Sequence, residues 1–156
     1  MIKVTSHLLA NLSDLAKESQ RKRKNHNFHT TDSDPLQRML NALESSTYVQ
    51  PHKHVDPDKR ETFIVLKGKI AVIEFDDKGI ITDKIILCNE LGNYCAEIIT
   101  GSWHTVISFE DNSVYYELKD GPYSEGTDKV FASWAPAEES QEAVKYLEKL
   151  KAEVGS

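Results

Sequence analysis

Two histidines separated by a single residue mark the stretch of the chain that could bind a metal ion. Alternate side chains of a β-strand face the same side, so His52 and His54 can point into one cavity. Glu61 opens the β-rich segment 61–67, and His104 opens another such segment after a turn. Imidazole nitrogens and a carboxylate oxygen suit Zn, Fe, Mn, Co or Ni. These four side chains therefore predict a site for one divalent metal ion.

The predicted ligand set leaves coordination positions open. Three imidazoles and one carboxylate do not fill a five- or six-coordinate ion, so water, a bidentate substrate or, on iron, dioxygen can also bind. A bound divalent ion polarises a carbonyl group or lowers the pKa of water. A single histidine on a strand is more often a structural residue than a ligand, whereas this combination of histidines and glutamate is far more specific.

Eight short β-rich segments separated by turn residues would position these candidates: 38–43, 47–54, 61–67, 69–75, 80–87, 94–99, 104–109 and 113–119. Their regular spacing predicts an antiparallel sandwich or barrel, and about eight strands is typical of a double-sheet jelly roll. Apolar repeats of helical period over 6–20, capped by Ser6, and over 137–152 predict a helix at each end. Residues 21–37 have no clear period and are predicted to form an irregular arm.

The length of 156 residues predicts one structural domain with three parts. These are an N-terminal helix and basic arm (1–37), a β-barrel (38–120), and a loop with a C-terminal helix (121–156). The formal net charge of −6 opposes general binding to nucleic acid. No apolar run reaches the length of a membrane span, and no secretory signal is evident, so we expect a cytoplasmic protein. Cys88 and Cys95 do not indicate a disulfide framework.

Strand parity adds candidates around the predicted metal site. Tyr48 and Gln50 lie on the predicted strand 47–54 and would share its inward face with His52 and His54. We therefore consider Gln50 a substrate-binding candidate and Tyr48 a candidate general acid or base. Both could equally be ordinary barrel residues.

A basic run follows the first predicted helix. The functional interpretation gathers Arg21, Arg23, His29 and Arg38 at the barrel mouth to bind phosphate or carboxylate. His29 is then a second candidate general acid or base. The alternative is a solvated surface favoured by the helix dipole. An anionic small molecule is the predicted partner.

One predicted strand has an apolar outward face that needs a cover. A homodimer would bury this face, so we expect a dimer. The outward side chains are Trp103, Thr105, Ile107 and Phe109.

The chain resembles the cupins, whose two motifs are G-x5-H-x-H-x(3–4)-E-x6-G and G-x5-P-x-G-x2-H-x3-N. The residues that carry them here are His52, His54, Glu61 and Gly68, then Gly92, Gly101 and His104. The sequence departs from the motifs at Ser46, Ile99 and Ser108, and by a longer loop between His54 and Glu61. This loop makes Asp56 an alternative carboxylate ligand. Segments 21–29, 34–38, 121–123 and 134–136 further resemble the WbuC-type cupin-fold metalloproteins.

The resemblance implies a metal-binding cupin jelly-roll barrel encoded among genes for O-antigen and other surface polysaccharides, without an established reaction. We expect an enzyme of isomerase or epimerase type that acts on a sugar or sugar nucleotide, with the metal as Lewis acid. An iron-dependent dioxygenase is one alternative. A non-catalytic binding or regulatory barrel is another.

Overall fold

The computed structural model describes residues 1–155 and contains ten strands and two α-helices within them. A short 3-10 helix spans Asn89–Leu91. In chain order the elements are α1 (Ser6–Glu18), β1 (Arg23–Asn27), β2 (Leu36–Leu43), β3 (His52–Lys53), β4 (Glu61–Lys67), β5 (Lys69–Phe75), β6 (Ile81–Cys88), β7 (Cys95–Ile98), β8 (Trp103–Ser108), β9 (Ser113–Asp120), β10 (Val130–Phe131) and α2 (Glu142–Gly155).

The strands form two antiparallel five-stranded sheets that pack face to face. Sheet A has the order β1-β2-β9-β4-β7, and sheet B has the order β10-β3-β8-β5-β6. Because consecutive strands such as β4 and β5 lie in different sheets, the chain crosses repeatedly between the layers, as in a jelly roll. The predicted mostly-β jelly roll with a helix at each end is confirmed.

The space between the sheets changes from polar to apolar along the strands. On β4 the inward residues run from Glu61 to Phe63 and Val65, and on β8 they run from His104 to Val106. Burial of the apolar side chains stabilises one end of the barrel by about 1.5–3 kcal/mol per large residue. The other end is therefore free to hold polar groups on a rigid support.

Each helix covers the outer face of one sheet. Leu12 and Ala16 of α1 pack on sheet A, whereas Leu147 and Leu150 of α2 pack on sheet B in a cluster that includes Ile107. The outward face of β8 is thus covered by the chain itself, which removes the reason for expecting a dimer. Neither helix within residues 1–155 combines the length and the apolar content that a membrane span requires.

Gly68 makes the tight connection between β4 and β5. Its φ of +78° lies in the left-handed region, and a Cβ at this position would come within 2.4 Å of Ser113 Oγ. Only glycine avoids both the conformational strain and the clash. The turn therefore fixes where β4 ends and β5 begins.

Several predicted bounds of strands and helices are wrong, because contacts between distant segments rather than local sequence patterns decide where these elements begin and end. The predicted irregular arm contains β1, which has mostly exposed side chains and is held by backbone pairing with β2. The predicted strand 47–54 shrinks to β3, and the C-terminal helix begins at Glu142 rather than at 137. Thr5, not Ser6, caps α1, because its Oγ1 accepts a hydrogen bond from Leu8 N at 3.3 Å.

Candidate metal centre and adjoining cavity

The four predicted ligands converge on one buried position between the sheets. His52 in β3 lies opposite His104 in β8. His54 follows β3 directly, and Glu61 begins β4 in the other sheet. One ligand atom from each residue lies within 4.8 Å of all the others. All four residues are only 2–4% exposed, so their polar atoms need a partner inside the protein.

Each of the three histidines places Nδ1 against a backbone carbonyl oxygen. A carbonyl oxygen can only accept a hydrogen bond, so Nδ1 carries the proton and the neutral ring keeps a lone pair on Nε2. Hydrogen bonds of this kind orient histidines that ligate metals. The contacts join His52 to Gln50 at 3.0 Å, His104 to Ser102 at 2.9 Å, and His54 to Asp128.

The contacts around Glu61 require a positive species between the groups. His104 Nε2 lies 2.7 Å from Glu61 Oε2, and His54 Nε2 lies 3.2 Å from Glu61 Oε1. A nitrogen lone pair repels a carboxylate oxygen at these distances unless a proton or a metal ion lies between them. Within residues 1–155, the buried His54 Nε2 has no hydrogen bond of acceptable geometry. The donor set therefore fits a divalent ion bound by three Nε2 atoms and Glu61.

The surroundings of His52 and Glu61 favour the protonation states that bind a metal ion. It lowers the pKa of His52 well below its usual value, and the charges of Lys129 and His104 act in the same direction. Burial alone would raise the pKa of Glu61, but the imidazoles of His104 and His54 beside it outweigh burial and hold that pKa well below its usual value. A neutral imidazole and an ionised carboxylate are the forms that ligate a metal ion.

The lengthened loop before Glu61 carries a buried lysine. Asp56 is exposed in this loop and lies outside the cluster, so Glu61 is the carboxylate that the structure brings to the histidines. Lys59 is 2% exposed, and its ammonium donates to the carboxylate of Asp128. The additional loop length thus places a buried cation close to the predicted ligands.

Asp128 joins that lysine to both sides of the cluster. Its Oδ2 accepts a hydrogen bond from Lys119 Nζ at 2.9 Å, and the same ammonium lies 3.8 Å from Glu61 Oε1. The backbone oxygen of Asp128 accepts the hydrogen bond from His54 Nδ1. We call the buried set Lys59, Asp128 and Lys119 the charged triad. The charged triad contacts both His54 and Glu61 and therefore holds these two predicted ligands in place relative to each other.

A polar cavity of about 670 Å³ adjoins the cluster. Glu117 and Lys119 of β9 line it, and Lys119 Nζ lies 3.8 Å from Glu61 Oε1, so the cavity begins next to the predicted ligands. Its volume is in the range of small-molecule sites. Other lining residues come from β1, β2, β9 and the segment 123–131, and they include Arg23, Asn25, Asn41, Tyr123 and Lys129.

Glu117 is the carboxyl group that faces both the cavity and the cluster. Burial raises its pKa to about 7, and the negative charge of Glu61 acts in the same direction. Asn41 Nδ2 donates to Glu117 Oε2 at 2.8 Å, which fixes the orientation of the carboxyl group. A group held in this way can accept or donate a proton at the cavity wall.

Tyr48 does not face the metal cluster, contrary to the parity prediction. Its ring packs under α2, and its hydroxyl donates to Pro136 O at 2.9 Å. Burial raises the pKa of this phenol. Gln50 also turns away, because its amide donates to Ala132 O at 3.2 Å. Residues 48–51 are not part of a strand, so parity could not be extended through them.

Only part of the predicted basic cluster lies at this cavity, because Arg21 and Arg23 line it whereas Arg38 does not. Arg23 Nη2 lies 2.7 Å from both carboxylate oxygens of Glu138, and Arg21 Nε lies 3.6 Å from the same carboxylate. Arg38 pairs with Asp34 at 3.3 Å and lines none of the cavities described. Each of these three arginines thus already has a carboxylate partner within the protein.

His29 lies in a smaller cavity of about 280 Å³, which shares Lys119 and Tyr123 with the larger one. Its Nδ1 accepts a hydrogen bond from the backbone N–H of Arg38 at 3.1 Å. Only Nε2 is therefore free to reach a ligand.

Sequence reasoning missed five polar residues of this region. Glu117 and Lys119 share one face of β9 with the inward-facing Tyr115, so strand parity could have found them. The other three lie in irregular segments that carry no periodic signal: Lys59, Asp128 and Lys129.

Comparison with known sequences identifies a family but no function. The sequence model of the family described as "Domain of unknown function (DUF6016)" matches residues 4–87. None of the curated proteins matches the chain.

Comparison with solved structures shows a cupin fold. KdgF from Halomonas sp. has a TM-score of 0.50 and 16% identity, and the match covers 66% of this chain and 81% of KdgF. The capsular polysaccharide assembling protein CapF from Staphylococcus aureus has a TM-score of 0.59 and 19% identity over 72% of this chain. The chain spans only 32% of CapF. An RmlC-like cupin from Desulfovibrio desulfuricans has a TM-score of 0.51 and 13% identity, covering 77% and 97%.

Proposed function

The chain belongs to the DUF6016 family, a domain of unknown function, and from the geometry of its buried cluster we propose that it is a metal-dependent enzyme acting on a small hydroxylated carbonyl compound of the sugar class. One observation carries the proposal. Three histidine Nε2 atoms and the Glu61 carboxylate come together beside a polar cavity of about 670 Å³. A site that only stabilised the fold would not need such a cavity.

Different residues would bind the metal ion and transfer the proton. His52, His54, His104 and Glu61 would hold the metal ion, which when bound supplies a Lewis acid for a substrate carbonyl group. Glu117 is placed to accept or return a proton at the cavity wall. A transferable proton beside a polarised carbonyl suits isomerisation or epimerisation, in which a hydrogen next to the carbonyl is removed and replaced.

The polar cavity wall supports the choice of a hydroxylated substrate. Amide, carboxyl and phenol groups line the cavity, and each can exchange hydrogen bonds with hydroxyl groups. They belong to Asn25, Asn41, Glu117, Tyr115 and Tyr123.

More specifically, we propose that the enzyme acts in surface-polysaccharide synthesis. Its support is the resemblance of the sequence to the WbuC-type cupins and the fold that the chain shares with CapF, a capsular polysaccharide assembling protein. A cytoplasmic location would accord with synthesis from activated sugars.

The test combines metal analysis with a proton-exchange assay. Metal-loaded protein is incubated in D₂O with a panel of aldoses, ketoses and sugar nucleotides, and NMR records deuterium at the carbon next to the carbonyl. We expect exchange with the wild type, and loss of both metal and exchange in the double variant His52→Ala/His104→Ala. The exposed histidine variant His7→Ala is the matched control and should keep both. Full metal content in the double variant would rule out the proposed site.

Exchange requiring ferrous ion and dioxygen would favour oxygenase chemistry instead. Absence of exchange across the whole panel, with the metal bound, would reject the proposed reaction class while leaving the metal site intact.

A further inference from the structure

Tyr115 of β9 lies at the border between the apolar core and the cavity. The residue is 6% exposed, and its ring meets the ring of Phe63 edge-on, with the ring centroids 5.4 Å apart. Tyr115 belongs to the core cluster that also contains Val65 and Leu43, and it lines the cavity of about 670 Å³. The position of its hydroxyl group is therefore set by core packing and not by a loop.

The hydroxyl group of Tyr115 has no partner within the protein. A buried tyrosine normally finds one, and Tyr48, the other buried tyrosine of residues 1–155, donates to Pro136 O at 2.9 Å. The hydroxyl of Tyr115 makes no hydrogen bond to any group of residues 1–155. Its oxygen is nevertheless not one of the fully enclosed polar atoms. The hydroxyl therefore opens onto the cavity, where a ligand can reach it.

The surroundings of Tyr115 keep its phenol protonated. Burial raises the pKa of Tyr115 well above its usual value, and the negative charges of Glu117 and Glu61 act in the same direction. The group is thus available as a hydrogen-bond donor to a ligand oxygen. Tyr123, which also lines the cavity, is 40% exposed and can bind to bulk water instead.

Strand register places Tyr115 away from the metal cluster. On the neighbouring β4, Glu61 lies opposite Lys119, whereas Val65 lies opposite Tyr115. Because Tyr115 and Lys119 are four residues apart on one strand, their Cα atoms are separated by roughly 13 Å. Glu117 lies between them on the same face. A molecule whose carbonyl group is held at the metal cluster therefore meets Glu117 first and Tyr115 only at its far end.

We propose that Tyr115 determines the length of the substrate by donating a hydrogen bond to an oxygen at the end of the sugar remote from the carbonyl group. The inference rests on the proposed function and narrows its substrate class to sugars of about hexose length that carry this terminal oxygen. A shorter or terminally deoxygenated sugar displaces water from the phenol without replacing its hydrogen bond. Such an unpaired polar group is the usual basis on which a site rejects an analogue.

The first test compares the two buried tyrosines in the metal-loaded full chain without sugar. Tyr48→Phe removes a hydrogen bond and should lower the melting temperature by about 2–4 °C. Tyr115→Phe removes a hydroxyl group that has no protein partner, so the melting temperature should stay the same or rise. A fall as large as that of Tyr48→Phe would show that the hydroxyl of Tyr115 stabilises the fold, which would overturn the inference.

The second test measures binding of D-glucose and 6-deoxy-D-glucose by calorimetry. These two sugars differ only in the terminal oxygen. We expect the wild type to bind D-glucose about tenfold more tightly than the deoxy sugar, which corresponds to one hydrogen bond. Tyr115→Phe should bind both sugars with the lower affinity. The exposed tyrosine variant Tyr94→Phe is the matched control and should discriminate as the wild type does.

The inference fails if the wild type binds the two sugars equally, if it binds neither, or if Tyr115→Phe still prefers D-glucose. These results concern only the far end of the cavity. Metal content and deuterium exchange across the sugar panel are measured on the same preparations. Loss of metal or absence of exchange would instead contradict the proposed function, so the two failures are distinguishable.

Discussion

His54 Nδ1 donates its hydrogen bond to the backbone oxygen of Asp128, which lies 74 residues further along the chain. This contact ties a predicted metal ligand to the segment that closes the adjoining cavity. The carboxylate of Asp128 is in turn held by Lys59 and Lys119. The position of this metal ligand and the position of the segment at Asp128 therefore depend on the same buried charges.

Replacing Lys59 tests this dependence. Lys59→Met keeps most of the side-chain volume but removes the cation, and leaves the Asp128 carboxylate buried with only one lysine. Breaking a buried ion pair in this way costs about 3–5 kcal/mol. We expect the free energy of unfolding from urea titration to fall by about that amount. Metal affinity, measured by chelator competition, should fall about 10–100-fold because an outer partner of a ligand has moved.

The adjacent arginine provides the control for Lys59. Arg60→Met removes an exposed ion pair with Asp120, in which Arg60 Nε lies 2.8 Å from Asp120 Oδ2. Exposed pairs contribute little to stability, so neither unfolding nor metal affinity should change appreciably. Equal effects of the two substitutions would contradict a special role for the charged triad.

The histidine pair was predictable because its geometry is local. His52 and His54 are two residues apart, and His104 pairs directly with His52 across neighbouring strands. Alternation on strands is a strong signal at such short range. The same rule misplaced Tyr48, because residues 48–51 lie outside any strand and Pro51 interrupts the pattern.

The charged triad could not be predicted from the sequence in the same way. Lys59 and Asp128 are 69 residues apart and lie in segments without periodicity. A lysine and an aspartate in turn-like segments are normally exposed, and only the packing of the two sheets buries them here. β1 was missed for a related reason, since its stability comes from backbone pairing with β2 rather than from alternating burial.

Acid should lower the free energy of unfolding of the metal-free protein, because His52 is buried in its neutral form. Burial holds its folded-state pKa well below the usual value of about 6.5, whereas the unfolded chain titrates near that value. Below about pH 6.5 the unfolded state binds a proton that the folded state does not. The free energy of unfolding therefore decreases as the pH falls, by up to about 1.4 kcal/mol per pH unit. Above that pH both states are neutral, and His52 adds no pH dependence.

Urea unfolding of chelator-treated protein at about pH 7.5 and about pH 5.5 measures this slope. His52→Gln should reduce the slope by the contribution of one proton. The exposed His26, replaced by glutamine, should leave it unchanged. An undiminished slope in His52→Gln would show that other groups account for the acid sensitivity.

Tyr48→Phe tests whether the phenol of Tyr48 acts on the substrate, as strand parity predicts, or only stabilises the packing under α2. The substitution removes the hydrogen bond to Pro136 O but keeps the ring in its place under α2. We expect about 1 kcal/mol of lost stability, with metal content and deuterium exchange both unchanged. A large loss of exchange with full metal content would mean that the phenol reaches the substrate after all.

Glu117→Gln tests whether the cavity carboxyl group transfers a proton. The amide is close to isosteric, so the metal ion and the ligand should still bind, but it cannot accept a proton from carbon. Exchange of deuterium should therefore fall by about 10²–10⁴-fold. Asn41→Ala is the companion variant, because it removes the donor 2.8 Å from Glu117 Oε2 while leaving the carboxyl group in place. Because Asn41 only positions the carboxyl group, the loss of exchange should be smaller for Asn41→Ala than for Glu117→Gln. Undiminished exchange in Glu117→Gln would show that another group transfers the proton.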